Sequence, residues 1–309
     1  LQALLQAKIA PTYFEIVRPS VSVLRNEDGA FAIGFAKSGD TLDDLAGPEN
    51  PVLEWLISEL LSESDRSRPL GYLKRVAIIE ADLFLDDRQL RQIWHAPRAD
   101  LAFERNVLGI SANVDFDIEF EGQQNRVTGN AAYETETGII DATFEFSELD
   151  PTPFLRGSLK PIAQRFAKLG LHLDGEIGLR MMSDGSIRTI RFDLTSNEAA
   201  ARGEISIGED GYGITAGIEF EGVRWPILSA AIPNPVEQFR VDVPIDGKLA
   251  LVGTIDGHVM SLEFDLNGGA GTFSVPEIYT DPVPVKSLRL RGQTTGEFRE
   301  VRIEEARLS

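Results

Sequence analysis

The stretch Ile110-Ser-Ala-Asn-Val-Asp-Phe-Asp-Ile-Glu-Phe-Glu121 decides the fold. Ile110, Ala112, Val114, Phe116, Ile118 and Phe120 alternate with Ser111, Asn113, Asp115, Asp117, Glu119 and Glu121. Successive side chains on a strand point to opposite sides, so this is a long strand with one apolar and one acidic face. The same period recurs in Ile79/Ala81/Leu83/Leu85, Ala142/Phe144/Phe146, Ile177/Leu179/Met181, Ile190/Phe192/Leu194, Ile214/Ala216/Ile218/Phe220, Leu249/Leu251 and Leu262/Phe264/Leu266. Parallel strands are usually buried on both faces and read as unbroken apolar runs, so alternation predicts an antiparallel sheet.

Helical spacing is rare. Pro51 to Leu61 sets Leu53, Leu56, Ile57, Leu60 and Leu61 three and four apart, behind a Pro that the first helical turn tolerates. Ser158 can cap a second helix, with Ile162, Phe166 and Leu169 on one face and Gly170 as its stop. Leu1 to Ala10 reads as the tail of a third. The expected fold is mainly β: an elongated, curled antiparallel sheet, a repeating β-groove, with a few short amphipathic helices.

An internal repeat carries this further. Leu173–Leu194 aligns with Ile245–Leu266 at a constant offset, with Asp174/Asp246, Gly175/Gly247, Leu179/Leu251, Asp184/Asp256, Gly185/Gly257, Phe192/Phe264, Asp193/Asp265 and Leu194/Leu266 identical. Each copy reads as strand, Asp-Gly turn, strand, and Asp-Gly suits the positive φ of a type I′ hairpin turn. A shorter echo links Ile118-Glu-Phe-Glu-Gly122 to Ile218-Glu-Phe-Glu-Gly222. A β-unit that cannot bury its apolar face alone, once repeated, implies an array of hairpins extending one sheet. No Pro-, Gly- or acid-rich loop is long enough to separate independent domains, so residues 1–309 read as one continuous β-groove segment. The chain opens on Leu1 and not Met, which suggests a piece of a larger protein.

Composition narrows the function. The 309 residues are 42% hydrophobic and 26% charged, as in folded soluble proteins, and no stretch approaches the roughly 18 apolar residues of a membrane span. With 30 Lys and Arg against 49 Asp and Glu the formal charge is −19, which repels nucleic acid and argues against it as a partner. There is no Cys, so disulfides, thiolate nucleophiles and Cys-ligated metal or redox centres are excluded. His95, His172 and His258 are scattered, without metal-ligand spacing, and His258 is matched by Ser186 in the repeat.

The search for catalytic groups finds little. Glu119 and Glu121 share a strand face about 6.6 Å apart, a separation compatible with glycoside hydrolysis. Both lie on the acidic side, however, where nothing raises the pKa of one of them, so a solvated outer face is the simpler reading. Asp43/Asp44, Asp86/Asp87 and Glu304/Glu305 read as surface charge too. Gly268-Gly-Ala-Gly-Thr-Phe273 lacks the Lys-Ser/Thr of a phosphate loop and reads as a turn with close backbone approach. No catalytic residue, metal or cofactor is expected, and the chain reads as a non-enzyme.

What remains is the apolar face. A sandwich core and an open groove both produce alternation. The strands are long, the hairpins repeat, and Phe (17) far outnumbers Tyr (5) and Trp (3), which favours a groove for acyl chains. The expected lipid-contacting residues are Ile110, Val114, Phe116, Ile118, Phe120, Phe144, Phe146, Ile177, Leu179, Ile190, Phe192, Leu194, Ile218, Phe220, Leu249, Leu251, Leu262, Phe264 and Leu266. Head groups would stay in water at the groove's edge, and the acidic side chains would lie mostly on the convex side.

Several segments resemble a known family. Ile9-Ala-Pro-Thr-Tyr-Phe-Glu-Ile-Val-Arg-Pro-Ser-Val-Ser-Val-Leu-Arg-Asn-Glu-Asp-Gly29 resembles the segment that follows the membrane anchor in AsmA-like proteins. Val76-Ala-Ile-Ile-Glu-Ala-Asp-Leu-Phe-Leu-Asp86, with Trp94 and Arg98-Ala-Asp-Leu101, resembles the middle of the YhdP-like (DUF3971) branch. Val243-Pro-Ile-Asp-Gly-Lys-Leu249, Leu262-Glu-Phe-Asp-Leu266 and Gly268-Gly-Ala-Gly-Thr-Phe273 resemble a later block of it. The resemblance implies a periplasmic repeating β-groove of the Gram-negative cell envelope. It would be tied to the inner membrane by an anchor outside this chain, and would act as a bridge for phospholipid transport between inner and outer membrane in outer-membrane biogenesis. Phospholipid acyl chains would be its cargo, with envelope proteins as further partners. Two rival readings are a structural or adhesive β-sandwich module of a large envelope protein, and a carbohydrate-active enzyme using an acidic pair such as Glu119/Glu121.

Overall fold

A computed structural model describes residues 11–26, 31–35, 59, 69–88, 92–120, 123–152, 160–197, 199–231, 240–274, 281–296 and 299–309. Of these, 72% lie in strands and 7% in helices, so the mainly-β antiparallel fold expected from alternation is what the structure shows. The helix expected over Pro51–Leu61, apart from Glu59, and the tail at Leu1–Ala10 fall outside the described residues. The chain divides into two compact units, Leu1–Phe146 with Arg180–Gly185, and Ser147–Leu179 with Ser186–Ser309.

The first unit holds β1 (Tyr13–Val17), β2 (Ser20–Arg25), β3 (Phe31–Phe35), β4 (Arg75–Asp87), β5 (Gln92–Arg105), β6 (Gly109–Phe120), β7 (Gln123–Glu134) and most of β8 (Ile139–Leu149). Its strands are ordered β3-β2-β4-β5-β6-β7-β8, and β1 also pairs with β4. Both β1 and β2 run parallel to β4, in tandem: Tyr13–Val17 lie beside Arg75–Ile79, and Ser20–Arg25 beside Asp82–Asp87. The break between them falls where Arg18 and Glu80 both take positive φ, 56° and 52°. Such a conformation costs an L-residue roughly 1–2 kcal/mol. It is offset by hydrogen bonds from Arg18 N–H to Ile79 O (2.8 Å), Asp82 N–H to Pro19 O (2.9 Å) and Glu80 N–H to Asp100 Oδ1 (2.7 Å). Val21, Ile78, Ala81 and Ala99 form one buried cluster, against which Val23, Leu83, Leu101 and Phe116 pack. Leu73, Val76 and Ile110 form a second.

The second unit carries most of β9 (Leu173–Met182), then β10 (Ile187–Ser196), β11 (Ala199–Ile207), β12 (Gly213–Val223), β13 (Arg240–Asp242), β14 (Ile245–Thr254), β15 (Val259–Gly268), β16 (Gly271–Ser274), β17 (Val283–Val285), β18 (Leu288–Thr295) and β19 (Glu300–Leu308). The main order is β9-β10-β11-β12-β14-β15-β18-β19, and β13-β16-β17 form a small separate sheet. The glycine run therefore ends β15 and opens β16, and a Cβ on Gly271 would collide with the Asp242 carbonyl, the close backbone approach expected there.

The repeat is structural. The bounds of β9 and β10 recur, 72 residues on, as those of β14 and β15. The turns also match: Gly185 N–H bonds Met182 O and Gly257 N–H bonds Thr254 O, both at 2.9 Å. Only the glycines have positive φ (84° and 93°), and Asp184 and Asp256 do not. The expected type I′ turn needs positive φ at both central residues, so the connection is instead a type I turn closed by a left-handed glycine.

Among the described residues, two helices belong to this unit. Helix α1 (Lys160–Leu169) ends at Gly170, whose φ of 58° makes it the expected C-terminal cap. Helix α2 (Trp225–Ala231) was not legible in the alternation. Its Ile227 and Leu228 pack over Phe220, Val223 and Ile245, and Arg165 Nε of α1 donates to Ala230 O at 2.9 Å.

Candidate functional site

The registers of the second unit align side chains into rows that cross the strands. On the apolar face one row reads Phe192, Gly203, Ile218, Leu249, Phe264, Gly292, Ile303, passing from β10 through β11, β12, β14, β15 and β18 to β19. Phe, Gly and an aliphatic residue return after four strands. The hairpin repeat is thus part of a four-strand repeat, masked in the sequence because β16 and β17 are inserted between β15 and β18.

Each Phe in that row lies opposite a glycine. A Cβ on Gly203 would stand 2.8 Å from Phe192 Cζ, and one on Gly292 would stand 2.9 Å from Phe264 Cζ. The next row repeats the device with Phe220 over Gly247 (2.7 Å), and the first unit repeats it with Phe144 over Gly129 (2.7 Å). Because glycine has no side chain, the ring can lie down across the neighbouring strand, protecting its backbone instead of standing off the sheet. The result is a low, ring-paved apolar wall. Alternation located the phenylalanines but not the glycines beneath them, since that pairing needs the register.

Few of the expected lipid-contacting residues are covered. Ile110, Phe146 and Phe220 are buried. Val114, Phe116, Ile118, Phe144, Ile177, Leu179, Ile190, Phe192, Leu194, Ile218, Leu249, Leu251, Leu262, Phe264 and Leu266 are half-buried. The side chain of Phe120 lies outside the described residues. Helix α2 accounts for the burial of Phe220, at one end of the second unit's wall.

The opposite face of the second unit is charged in register. Asp193, Arg202, Glu219, Lys248, Asp265, Arg291 and Glu305 stand opposite one another on successive strands, strictly alternating in sign. Arg202 contacts Glu219 at 2.8 Å, and Lys248 holds the same carboxylate. Lys248 first, then Arg202, bring the Glu219 carboxyl down to about 2. Arg289 binds Asp265 and holds its carboxyl below the ordinary range, and Arg191 meets Glu204 at 2.8 Å. Opposite charges facing across strands stabilise one register over its neighbours. Arg202, Glu219, Lys248, Asp265 and Arg291, together with Phe192, Ile218, Leu249 and Phe264, line a concavity of about 1020 Å³.

The first unit's charged face shows the same habit. Arg126 grips Asp115 through two contacts, at 3.0 and 2.6 Å, and holds that carboxyl low. His95 stacks on Phe84 with ring centroids 4.4 Å apart, meets Asp82 at 2.7 Å and has Glu119 3.8 Å from its other nitrogen. Glu119 thus faces a histidine, and Glu121, its proposed carboxylate partner, falls outside the described residues. Among the described residues no group of three or more His, Asp or Glu side chains could hold a metal ion.

The matching aspartates of the repeat do a backbone task. Asp174 Oδ1 accepts from Glu148 N–H and Asp246 Oδ1 from Gly222 N–H, both at 2.8 Å. Glu148 and Gly222 have φ of 55° and 67°, so each aspartate satisfies the donor of a left-handed kink. No family model, no curated protein and no solved structure matches the chain.

Proposed function

We propose that the chain is a segment of a lipid-transport groove of the AsmA-like, YhdP-like kind, whose apolar wall carries phospholipid acyl chains between the inner and outer membranes of a Gram-negative envelope. The observation that supports this most is the half-buried state of Phe192, Ile218, Leu249 and Phe264, large apolar side chains of one cross-strand row whose two rings lie over Gly203 and Gly292. In a packed sandwich a second sheet would bury such a row. Against acyl chains the row would gain roughly 0.8 kcal/mol for each methylene it covers. A chemically uniform apolar wall would also let a chain slide, because no position along it would be much stronger than the next. Lipid transport needs no catalytic residue, and the registered charges of the opposite face would hold the sheet in alignment while its apolar side stays open.

The test is extraction of the purified protein followed by mass spectrometry of bound lipid, with Phe192→Asp as the disabling variant and circular dichroism to confirm that it folds. Phospholipid bound to the wild type and lost from a folded Phe192→Asp supports the reading. Repeated absence of lipid, with no binding of apolar dyes to the native fold, would overturn it.

A further inference from the structure

On the reading that acyl chains occupy the second unit's wall, we infer that helix α2 is the tail stop of that wall. Each chain lies along the strands, with its methyl end against Ile227 and Leu228 and its head group at the opposite, turn-bearing end. The two ends of β12 differ as the two ends of a phospholipid do. Beyond Val223 the wall runs into α2, where Ile227 and Leu228 pack over the buried Phe220, Val223 and Ile245. Before Gly213 comes a turn with exposed Glu209 and Asp210. The turn between β14 and β15, joined to it by Ile255 N–H donating to Tyr212 O at 2.9 Å, holds exposed Asp256 and His258. Between these ends Ile214, Ala216 and Ile218 of β12 and Leu249 and Leu251 of β14 stay half-buried. A tail end gains most where it leaves water altogether, and a charged head group loses least where water reaches it.

Across the strands the wall offers no such gradient, since the row Phe192, Gly203, Ile218, Leu249, Phe264 is apolar throughout. The length along the strands also fits. Ile214 to Ile218 covers about 14 Å at roughly 3.4 Å per residue, and one leaflet's share of a bilayer's hydrocarbon core is about 15 Å. Helix α2 is held in place at both ends: Arg165 Nε donates to Ala230 O at 2.9 Å, and Arg224, just before the helix, meets Asp242 at 3.0 Å. The repeat puts a helix at this point twice. Strands β8 and β12 each carry a left-handed kink one residue before their end, at Glu148 and Gly222, whose N–H groups Asp174 and Asp246 accept. A helix follows each kink before the next hairpin begins, α1 in one copy and α2 in the other, so the helix is a regular part of the repeat.

The experiment loads the full chain from phosphatidylcholine vesicles whose lipids carry bromine either at the end of the acyl chain or next to the head group. After removal of the vesicles tryptophan fluorescence is read, and the Trp225→Phe variant gives by difference the share due to Trp225, the first residue of α2. The expected result is loss of the Trp225 signal with tail-end bromine and its retention with bromine near the head group. Replacing Ile227 and Leu228 together by Ala should enrich the longer of two competing acyl chains at least about twofold, since one fully covered methylene is worth about fourfold in affinity. The quenching decides even where the double variant fails to fold. Equal quenching by the two lipids, stronger quenching from the head-group position, or an unchanged chain preference in a folded double variant would overturn the tail stop while the bound lipid still supports the transport reading. Retention of no lipid at all would overturn both.

Discussion

The ring of Phe192 lies across Gly203 on the neighbouring strand, its Cζ 2.8 Å from where a Cβ on that glycine would stand. The pair explains how a sheet can be rich in phenylalanine and still present a low wall. It also makes each glycine a position whose two faces differ: Gly203 lies under a ring, while Gly217, opposite Glu204 on the next strand, has open space above it.

That asymmetry predicts opposite outcomes for the same substitution. Gly203→Ala must displace both the Gly217 carbonyl oxygen and the Phe192 ring, and is expected to cost about 1–3 kcal/mol, the usual range for overpacking. Gly217→Ala meets nothing within 4 Å and is expected to be neutral or to stabilise by about 0.4–1 kcal/mol through the unfolded chain. Urea unfolding of the two variants checks this, and equal losses would contradict it.

The two repeat turns should respond alike. Gly185 and Gly257 hold φ of 84° and 93°, so Gly185→Ala and Gly257→Ala should each cost about 1–2 kcal/mol. Asn at either position should cost less, because it tolerates the left-handed region better. A thermal-unfolding series of the four variants measures it.

Asp174 and Asp246 should prove equivalent as well. Replacing either by Ala strands the N–H of Glu148 or Gly222 and is expected to cost about 1 kcal/mol. Amide exchange at the stranded residue should quicken in each variant while the other site is unchanged.

Glu219 makes the stability of the second unit depend on acid. Its folded pKa of about 2 lies below the ordinary 4.5, so the unfolded chain binds the proton more readily. The contribution is complete above pH 4.5 and is lost as pH falls toward 2. Glu219→Gln should therefore lower the urea midpoint slightly at pH 7, and the gap to the wild type should close as pH falls through that window. The side chain is exposed, so the effect is small. A gap that widened in acid would show that the ladder has another role.

The strands and the repeat were legible because period-2 alternation and an Asp-Gly pair at fixed offset are local properties. The two hairpins, β9-β10 and β14-β15, follow from them directly, although β10 and β15 run on to Ser196 and Gly268. Helix α2 was not legible: Trp225–Ala231 is seven residues long, too short to show helical periodicity, and it forms where Ile227 and Leu228 can cover Phe220. The parallel pairing of β1 and β2 with β4 was hidden for a different reason. It joins residues some sixty positions apart, and nothing in Tyr13–Arg25 says which strand they will meet.

By itself, the sequence determined that the chain makes long strands with one apolar and one charged side, in repeating units, without cysteine chemistry. Side-chain direction along a strand has a period of two, so that much needs no partner. Tertiary structure decided everything that depends on which strands are neighbours. It laid Phe192 and Phe264 over Gly203 and Gly292, and set Asp193 through Glu305 in one alternating row. Register is a relation between strands, fixed when hydrogen bonds and cross-strand pairs form together, and no single strand carries it.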